Sequence, residues 1–420
     1  MPDELFEFVN PWTTPAALAA GVVLLAWVCR MRGRRLAGVA LSAAVGVVLW
    51  QAWKAGPPSG LLDLKIYVNS ARLWIDGGSI YGYRDSVYNL SATYPPIGPV
   101  LFSLLTPFTA DGREVIFTAI SLGALFGCTW SVSGLARIAP DRRFEWSAWA
   151  FALSAVTLPV WLTFRQGQIN IIIWLLVLVD LDALRRSQRW AGAGIGLATA
   201  LKLLPGLFAV WLVLTRRWVA AAVAFASFAS ATAIGWLFAP ADSHRYWTEL
   251  LWQSERVGSV SDARNNSLLG LIARSLEPGP VRTGLWVATI AAILVVAGVR
   301  SLRASRGNDL LAVAAIVGCA TSAVSPISWT HHLGFLLVAL AAFALQAKTT
   351  RSKVLCAVAW LVLVDPGGHG DDPLMSSVRG LMVVAAIAFT PIRGGMATED
   401  DQIQTVTAPK RRETNSALPS

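Results

Sequence analysis

Charge is what this sequence has least of. Only 14% of its 420 residues are Asp, Glu, Lys or Arg, where an average soluble chain carries about 25%. With 55% of residues hydrophobic and a mean hydropathy of +0.55, that shortage excludes an ordinary soluble globular protein. Cysteine is scarce too. Cys29, Cys128, Cys319 and Cys356 all fall inside apolar segments without metal-ligand spacing, so they read as small packing residues. There is no P-loop, no Gly-rich dinucleotide fingerprint and no zinc-protease motif. The polar loops are too short to house a nucleotide-binding domain, which disfavours ATP or a nucleotide-sugar as reactant. No internal repeat is visible, a feature that transporters often show. The first apolar segment has no recognisable cleavage site and is followed by Arg30 and Arg32, so it reads as a retained span rather than a signal peptide.

What is present is a succession of apolar runs near the roughly 20 residues that cross a bilayer. The fold class expected is therefore an all-α polytopic membrane protein. Spans are predicted at 14–30, 36–54, 113–137, 146–164, 171–184, 218–239, 281–299, 309–324, 333–346, 354–364 and 376–391, about 11 in all. Segment 96–108 is apolar but short and broken by Pro96, Pro99 and Pro107, which predicts a partial or re-entrant element. Segment 191–213 is interrupted by Lys202 and Pro205. It reads either as a broken re-entrant pair with Lys202 deep in the protein or as one ordinary span. The formal net charge is +10. Its Arg and Lys lie in short clusters between spans, Arg30–Arg35 and Arg185–Arg189 among them, as the positive-inside rule expects and as nucleic-acid binding does not. The organisation read from this is N-terminal spans over 1–55, a membrane domain over 56–393 whose first extracytoplasmic loop is 56–95, and a disordered cytoplasmic tail over 394–420.

That sorting sends most of the unusual polar residues to the opposite face. Asp63, beside a span end, is the candidate general base, because partial burial there can raise its pKa. Asp76, Asp85, Asp262 and the acids of 365–372 compete with it. Lys202, Arg165 and Arg264 are the cationic candidates for holding a phosphate, although Arg165 can equally mark a span end. His331 and His332 are adjacent and point to different faces, which suits hydrogen bonding or phosphate contact, or a structural role, better than one metal site. Trp329 beside them is a sugar platform or an interfacial anchor. No divalent ion is expected.

Several strings, in order, then point one way. They are Asp63 with Tyr67 and Ile80-Tyr81; Tyr94-Pro95-Pro96; Gly167-Gln168-Ile169-Asn170; Lys202-Leu203-Leu204-Pro205; Asn265-Asn266-Ser267-Leu268-Leu269-Gly270; and Ser325-Pro326-Ile327-Ser328-Trp329-Thr330-His331-His332. Together, over about residues 60–335, they resemble glycosyltransferase family 87. The resemblance implies a GT-C-type fold and inverting transfer of mannose from polyprenyl-phosphate-mannose, without cofactor or metal. The acceptor implied is a glycolipid or lipoglycan: a phosphatidylinositol mannoside, lipomannan or lipoarabinomannan, extended by an α-(1→2) linkage. It implies a plasma-membrane protein among membrane lipids, with its active site on the extracytoplasmic face. Carried over, Asp63 becomes the base. His331 and His332 line the donor phosphate and sugar, with Lys202 near the same cavity, while Arg165 and Arg264 stand as phosphate candidates by charge alone. Tyr67, Tyr94, Gln168, Asn170, Asn265, Asn266 and Trp329 fall around the sugar and acceptor cavity. The Asn265-Asn266 pair departs from the Gly-Asn or Asn-Gln expected there. The alternatives are a GT-C arabinofuranosyltransferase using a polyprenyl-phospho-arabinose donor, a polyprenyl-lipid transporter or flippase, and a non-catalytic assembly partner.

Overall fold

The apolar runs become helices wherever no proline intervenes. The computed structural model describes residues 33–54, 61–365 and 372–393, and among these every regular element is helical. The expected span 14–30 and the tail after 393 lie outside them. The first helices are α1 (Arg34–Lys54), α2 (Leu62–Ile75), α3 (Ile97–Phe102), α4 (Ala110–Leu135), α5 (Arg143–Ala155), α6 (Leu158–Gln166), α7 (Asn170–Arg185), α8 (Ala193–Leu201) and α9 (Gly206–Leu214). There follow α10 (Trp218–Phe238), α11 (Pro240–Thr248), α12 (Leu268–Ala273), α13 (Pro280–Arg306), α14 (Leu310–Val324), α15 (Gly334–Gln346), α16 (Thr350–Val364) and α17 (Pro373–Phe389).

The expected count of about eleven full spans is not confirmed. Among the described residues, α4, α10 and α13, of 26, 21 and 27 residues, are long and apolar enough to cross a membrane. The predicted span 146–164 is instead the pair α5 and α6, bent by 72°. Thr157 is extended and Pro159 follows at the start of α6; proline supplies no N–H and disfavours helical backbone before it. Three further apolar helices, α14, α15 and α17, are shorter: α14 has 15 residues, about 22 Å at 1.5 Å per residue, against a hydrocarbon core of about 30 Å. Segment 96–108 forms the short α3 and a 3-10 turn, Ser103–Leu105. Segment 191–213 breaks into α8 and α9, with Lys202 in extended conformation and Pro205 leading into α9.

The centre is α14, whose residues 310–323 are all buried. A helix apolar on every side belongs inside a bundle, and α13, α15 and α17 pack around it. A second group forms where α4 packs on α7 and α8 on α10. The latter approach needs small residues, since a side chain on Gly196 would meet the Ala224 carbonyl. On one face of the bundle lies α2, which buries Leu64, Ile66, Tyr67 and Val68 and leaves Lys65 exposed. The following loop is fastened by Asp242 of α11, which accepts from Ser79 Oγ at 2.5 Å and Ile80 N at 2.9 Å.

Candidate active site

Asp63 lies in the first turn of α2, where its own helix start favours a carboxylate. Its Oδ2 accepts from Gln168 Nε2 at 2.6 Å, and Gln168 Oε1 accepts from the Tyr94 hydroxyl at 2.6 Å. The amide is thus oriented from both ends, and the acid is held through it. Tyr94 is fixed in turn: its ring stacks on Tyr67 at 4.1 Å, and its carbonyl accepts from Tyr81 at 2.9 Å. Tyr67 pairs its hydroxyl with Thr93 Oγ1 at 2.8 Å. The close approach of α2 to α6 depends on Gly167, which ends α6 with φ +68°; a Cβ there would fall 2.7 Å from Leu64 Cβ.

Burial pushes the Asp63 carboxyl up to about 6, against the smaller opposing pulls of the Gln168 hydrogen bond and the Lys202 charge. Its rivals are committed elsewhere. Asp85 accepts from the backbone of Val87 and Tyr88. Asp262 pairs with Arg264 at 2.7 Å, Asp365 with Arg379 at 3.1 Å. Asp372 caps α17 through Leu374 N, and Asp76 is exposed.

Two residues beyond Gln168, Asn170 opens α7 and faces the other half of the site. Its Oδ1 accepts from Lys202 Nζ at 2.9 Å, and its Nδ2 donates to the His331 carbonyl at 2.9 Å. Lys202 Nζ also lies 2.9 Å from His332 Nε2 and 5.6 Å from the Tyr94 ring. The break between α8 and α9 is what frees this lysine to reach the two asparagine and histidine partners. Burial, and then the Lys202 charge, holds both imidazoles well below the usual histidine range. His331 Nε2 is buried without a hydrogen-bond partner among the described residues, a costly state that a ligand oxygen would relieve. One connected patch therefore carries a base at one end and N–H donors at the other.

The remaining expected residues divide. Asn265 is a staple. Its Oδ1 accepts from Ser267 N and Ser328 N, and its Nδ2 donates to the Val260 and Pro326 carbonyls. Asn266 donates to the Arg264 and Ser328 carbonyls and to Thr330 Oγ1. Both bind one loop to the next. Arg264 is held by Asp262 and lies 5.6 Å from the Trp329 ring. Arg165 lies 5.2 Å from the Trp161 ring, with Tyr88 nearby.

Sequence reasoning missed Arg379. It is fully buried in α17, pairs with Asp365 and donates to Thr330 Oγ1 at 3.3 Å. A lone arginine inside an expected span was the available signal. Below the polar patch, an apolar cavity of about 550 Å³ opens between α4, α5, α6, α7, α15 and α16. Trp174 lines it one turn after Asn170, and Gly334 lines it two residues after His332.

A profile of glycosyltransferase family 87 matches residues 92–326. A Mycobacterium tuberculosis protein named polyprenol-phosphate-mannose-dependent alpha-(1-2)-phosphatidylinositol mannoside mannosyltransferase is 33% identical over 341 residues, covering 76% of this chain and 77% of its own. A Mycolicibacterium smegmatis protein, named as the corresponding pentamannoside mannosyltransferase, is 31% identical over 73% of this chain and 75% of its own. A second M. smegmatis protein, carrying the same name as the M. tuberculosis one, is 30% identical over 73% and 74%. No solved structure matches.

Proposed function

This chain belongs to glycosyltransferase family 87, and from that premise we propose that it is a membrane mannosyltransferase. It transfers mannose from polyprenyl-phosphate-mannose to a phosphatidylinositol mannoside or related lipoglycan with an α-(1→2) linkage. The observation that carries this reading is the chain of bonds Tyr94–Gln168–Asp63, beside the Lys202–Asn170–His332 group. A base raised towards neutrality sits next to N–H donors suited to a phosphate.

In the reaction Asp63 accepts the proton of an acceptor hydroxyl. The oxygen attacks the anomeric carbon of the β-linked donor, the bond from that carbon to the phosphate oxygen breaks, and inversion gives an α linkage. Lys202 and the neutral imidazole N–H of His331 stabilise the departing phosphate, the electrostatic part of the catalysis, while His332, whose Nδ1 accepts from Trp329 N and whose Nε2 meets Lys202 Nζ, lines the donor site and aims the lysine. Tyr67 and Tyr94 form the wall beside the base, and Trp329 the wall beside the histidines. Arg165 and Arg264 act at the margins, in the approach of the anionic donor. The apolar cavity under Asn170 and His332 seats the donor's polyprenyl chain. We place 56–393 as the catalytic membrane domain of GT-C type, with the spans of 1–55 before it and a cytoplasmic tail after 393. The enzyme lies in the plasma membrane, the site facing outward, the face opposite the Arg and Lys clusters.

The test is transfer of radiolabelled mannose from polyprenyl-phosphate-mannose to a synthetic mannoside in membranes, wild type beside Asp63→Asn. Transfer by wild type alone, at equal abundance, supports reaction and base together. Transfer by both removes Asp63 from its role. Transfer by neither, with turnover of a polyprenyl-phospho-arabinose donor, replaces mannose by a pentose.

A further inference from the structure

Above the active site a second cleft, of about 680 Å³, opens between two loops. Arg84 and Asn89 line one wall, Trp252, Gln253 and Glu255 the other, with Arg256 between them. Arg256 ties the walls together, donating to the Ala92 carbonyl at 2.8 Å and the Leu250 carbonyl at 3.3 Å. Its guanidinium also lies 5.4 Å from the Tyr81 ring. The cleft is thus framed by contacts and is not a chance gap between unconnected loops.

Its chemistry is specific. Trp252 is 76% exposed, a large indole left open to solvent. A tryptophan anchoring a loop in lipid sits among apolar neighbours; here exposed Arg84, Asn89, Gln253 and Glu255 and half-buried Ser91 share the cleft lining with it, and Leu90 is the one large apolar side chain beside them. A pyranose presents flat C–H faces and an edge of hydroxyls. One open aromatic plane ringed by planar amide, carboxylate and guanidinium groups matches both surfaces. The charges do not favour an anion: Glu255 offsets Arg84, and the Arg256 guanidinium is already engaged by two carbonyls.

The cleft also connects to the catalytic residues on two sides. At one end Gly258 lies against Trp329, where an added Cβ would fall 2.6 Å from Cζ2 of the indole. At the other, Arg256 covers Tyr81, whose hydroxyl donates to the Tyr94 carbonyl, and Tyr94 holds Gln168 and so Asp63.

We propose that this cleft is a second saccharide subsite, binding a neutral sugar of the acceptor glycan beyond the residue that is glycosylated, with Trp252 as its stacking platform. The proposal deepens, and rests on, the mannosyltransferase reading. It makes the enzyme a selector of acceptor length.

The experiment compares α-linked mannotriose with methyl α-mannoside as acceptors, using full-length protein in lipid nanodiscs. Wild type should prefer the trisaccharide in kcat/KM, and Trp252→Ala should reduce that preference about tenfold, with Trp252→Phe restoring most of it. An unchanged preference, or an equal loss on both acceptors, overturns the subsite. Saturation-transfer NMR of mannotriose gives a readout independent of turnover: contact in wild type that is lost in Trp252→Ala supports the cleft even if no mannose is transferred, and that result would refute the enzymatic reading alone. Absence of contact in wild type overturns the cleft itself. Displacement of the trisaccharide from the cleft by glycerophosphoinositol at lower concentration would overturn the neutral-sugar assignment in favour of a phosphate.

Discussion

Asp63 carries a conflict between chemistry and stability. In the unfolded chain its carboxyl titrates at 3.8; burial raises that to about 6 in the folded protein. The folded state thus prefers the protonated acid. Stability from this group is full below 3.8 and is lost as pH rises through 6, so the ionised base is a liability at neutral pH. Asp63→Asn keeps the shape and removes the charge. Activity should fall by roughly 10²–10⁴-fold, while the protein gains on the order of 1–2 kcal/mol at pH 7.5, a figure discounted for the carboxylate's partial exposure. Thermal unfolding in detergent beside the transfer assay measures both; a lower melting temperature would contradict the burial argument. The same titration sets the acid limb of kcat/KM near pH 6. Gln168 lowers the Asp63 pKa by its hydrogen bond, so Gln168→Leu should move that limb upward as it slows turnover. A limb that stays in place would detach Gln168 from the base.

Among elements, the turn Thr330–His332 shows what sequence discloses and what it hides. The string ending in His331-His332 is legible because it is contiguous, as is the Gly167-Gln168-Ile169-Asn170 turn. The fastening of these strings is not legible. Thr330 takes its partners from Asn266, 64 residues back, and Arg379, 49 residues ahead, and no local spacing encodes either. For the same reason the bonds by which Asn265 and Asn266 staple one loop to the next are not legible in their own string. The pair Arg379–Asp365 is wholly buried, and such pairs contribute more to fixing geometry than to net stability. Thr330→Val removes only the shared acceptor and keeps the side-chain volume. It should raise the donor KM about tenfold, since the histidines face the departing phosphate, while acceptor KM stays within about twofold. Equal changes in both would make the contact merely structural. Gly167→Ala tests the opposite junction: positive φ and contact with Leu64 both oppose a methyl group, so a loss of about 1–2 kcal/mol is expected in thermal unfolding.

At the scale of the whole molecule, composition and charge sorting announce a helical membrane protein, but not how many helices cross. Hydropathy sees apolar length; it cannot see that α5 and α6 bend by 72° or that α14 is buried by neighbours and not by lipid. The cavity of about 550 Å³ is another product of assembly, drawing its walls from six helices spread between Leu125 and Trp360. If it holds the polyprenyl chain, its contribution scales with the chain length inside it, at about 0.8 kcal/mol per buried CH₂. Ala341 lines that cavity on α15, and Ala341→Phe would fill part of it. The donor with a full-length chain should then lose at least about tenfold in kcat/KM. A water-soluble analogue carrying a single isoprene unit, which fills less of the cavity, should lose less. An equal loss on both donors would mean that the substitution disturbs the polar patch above. No loss on either would move the chain out of this cavity, to the lipid-facing surface of α10 or α13, the other apolar surfaces long enough to guide it.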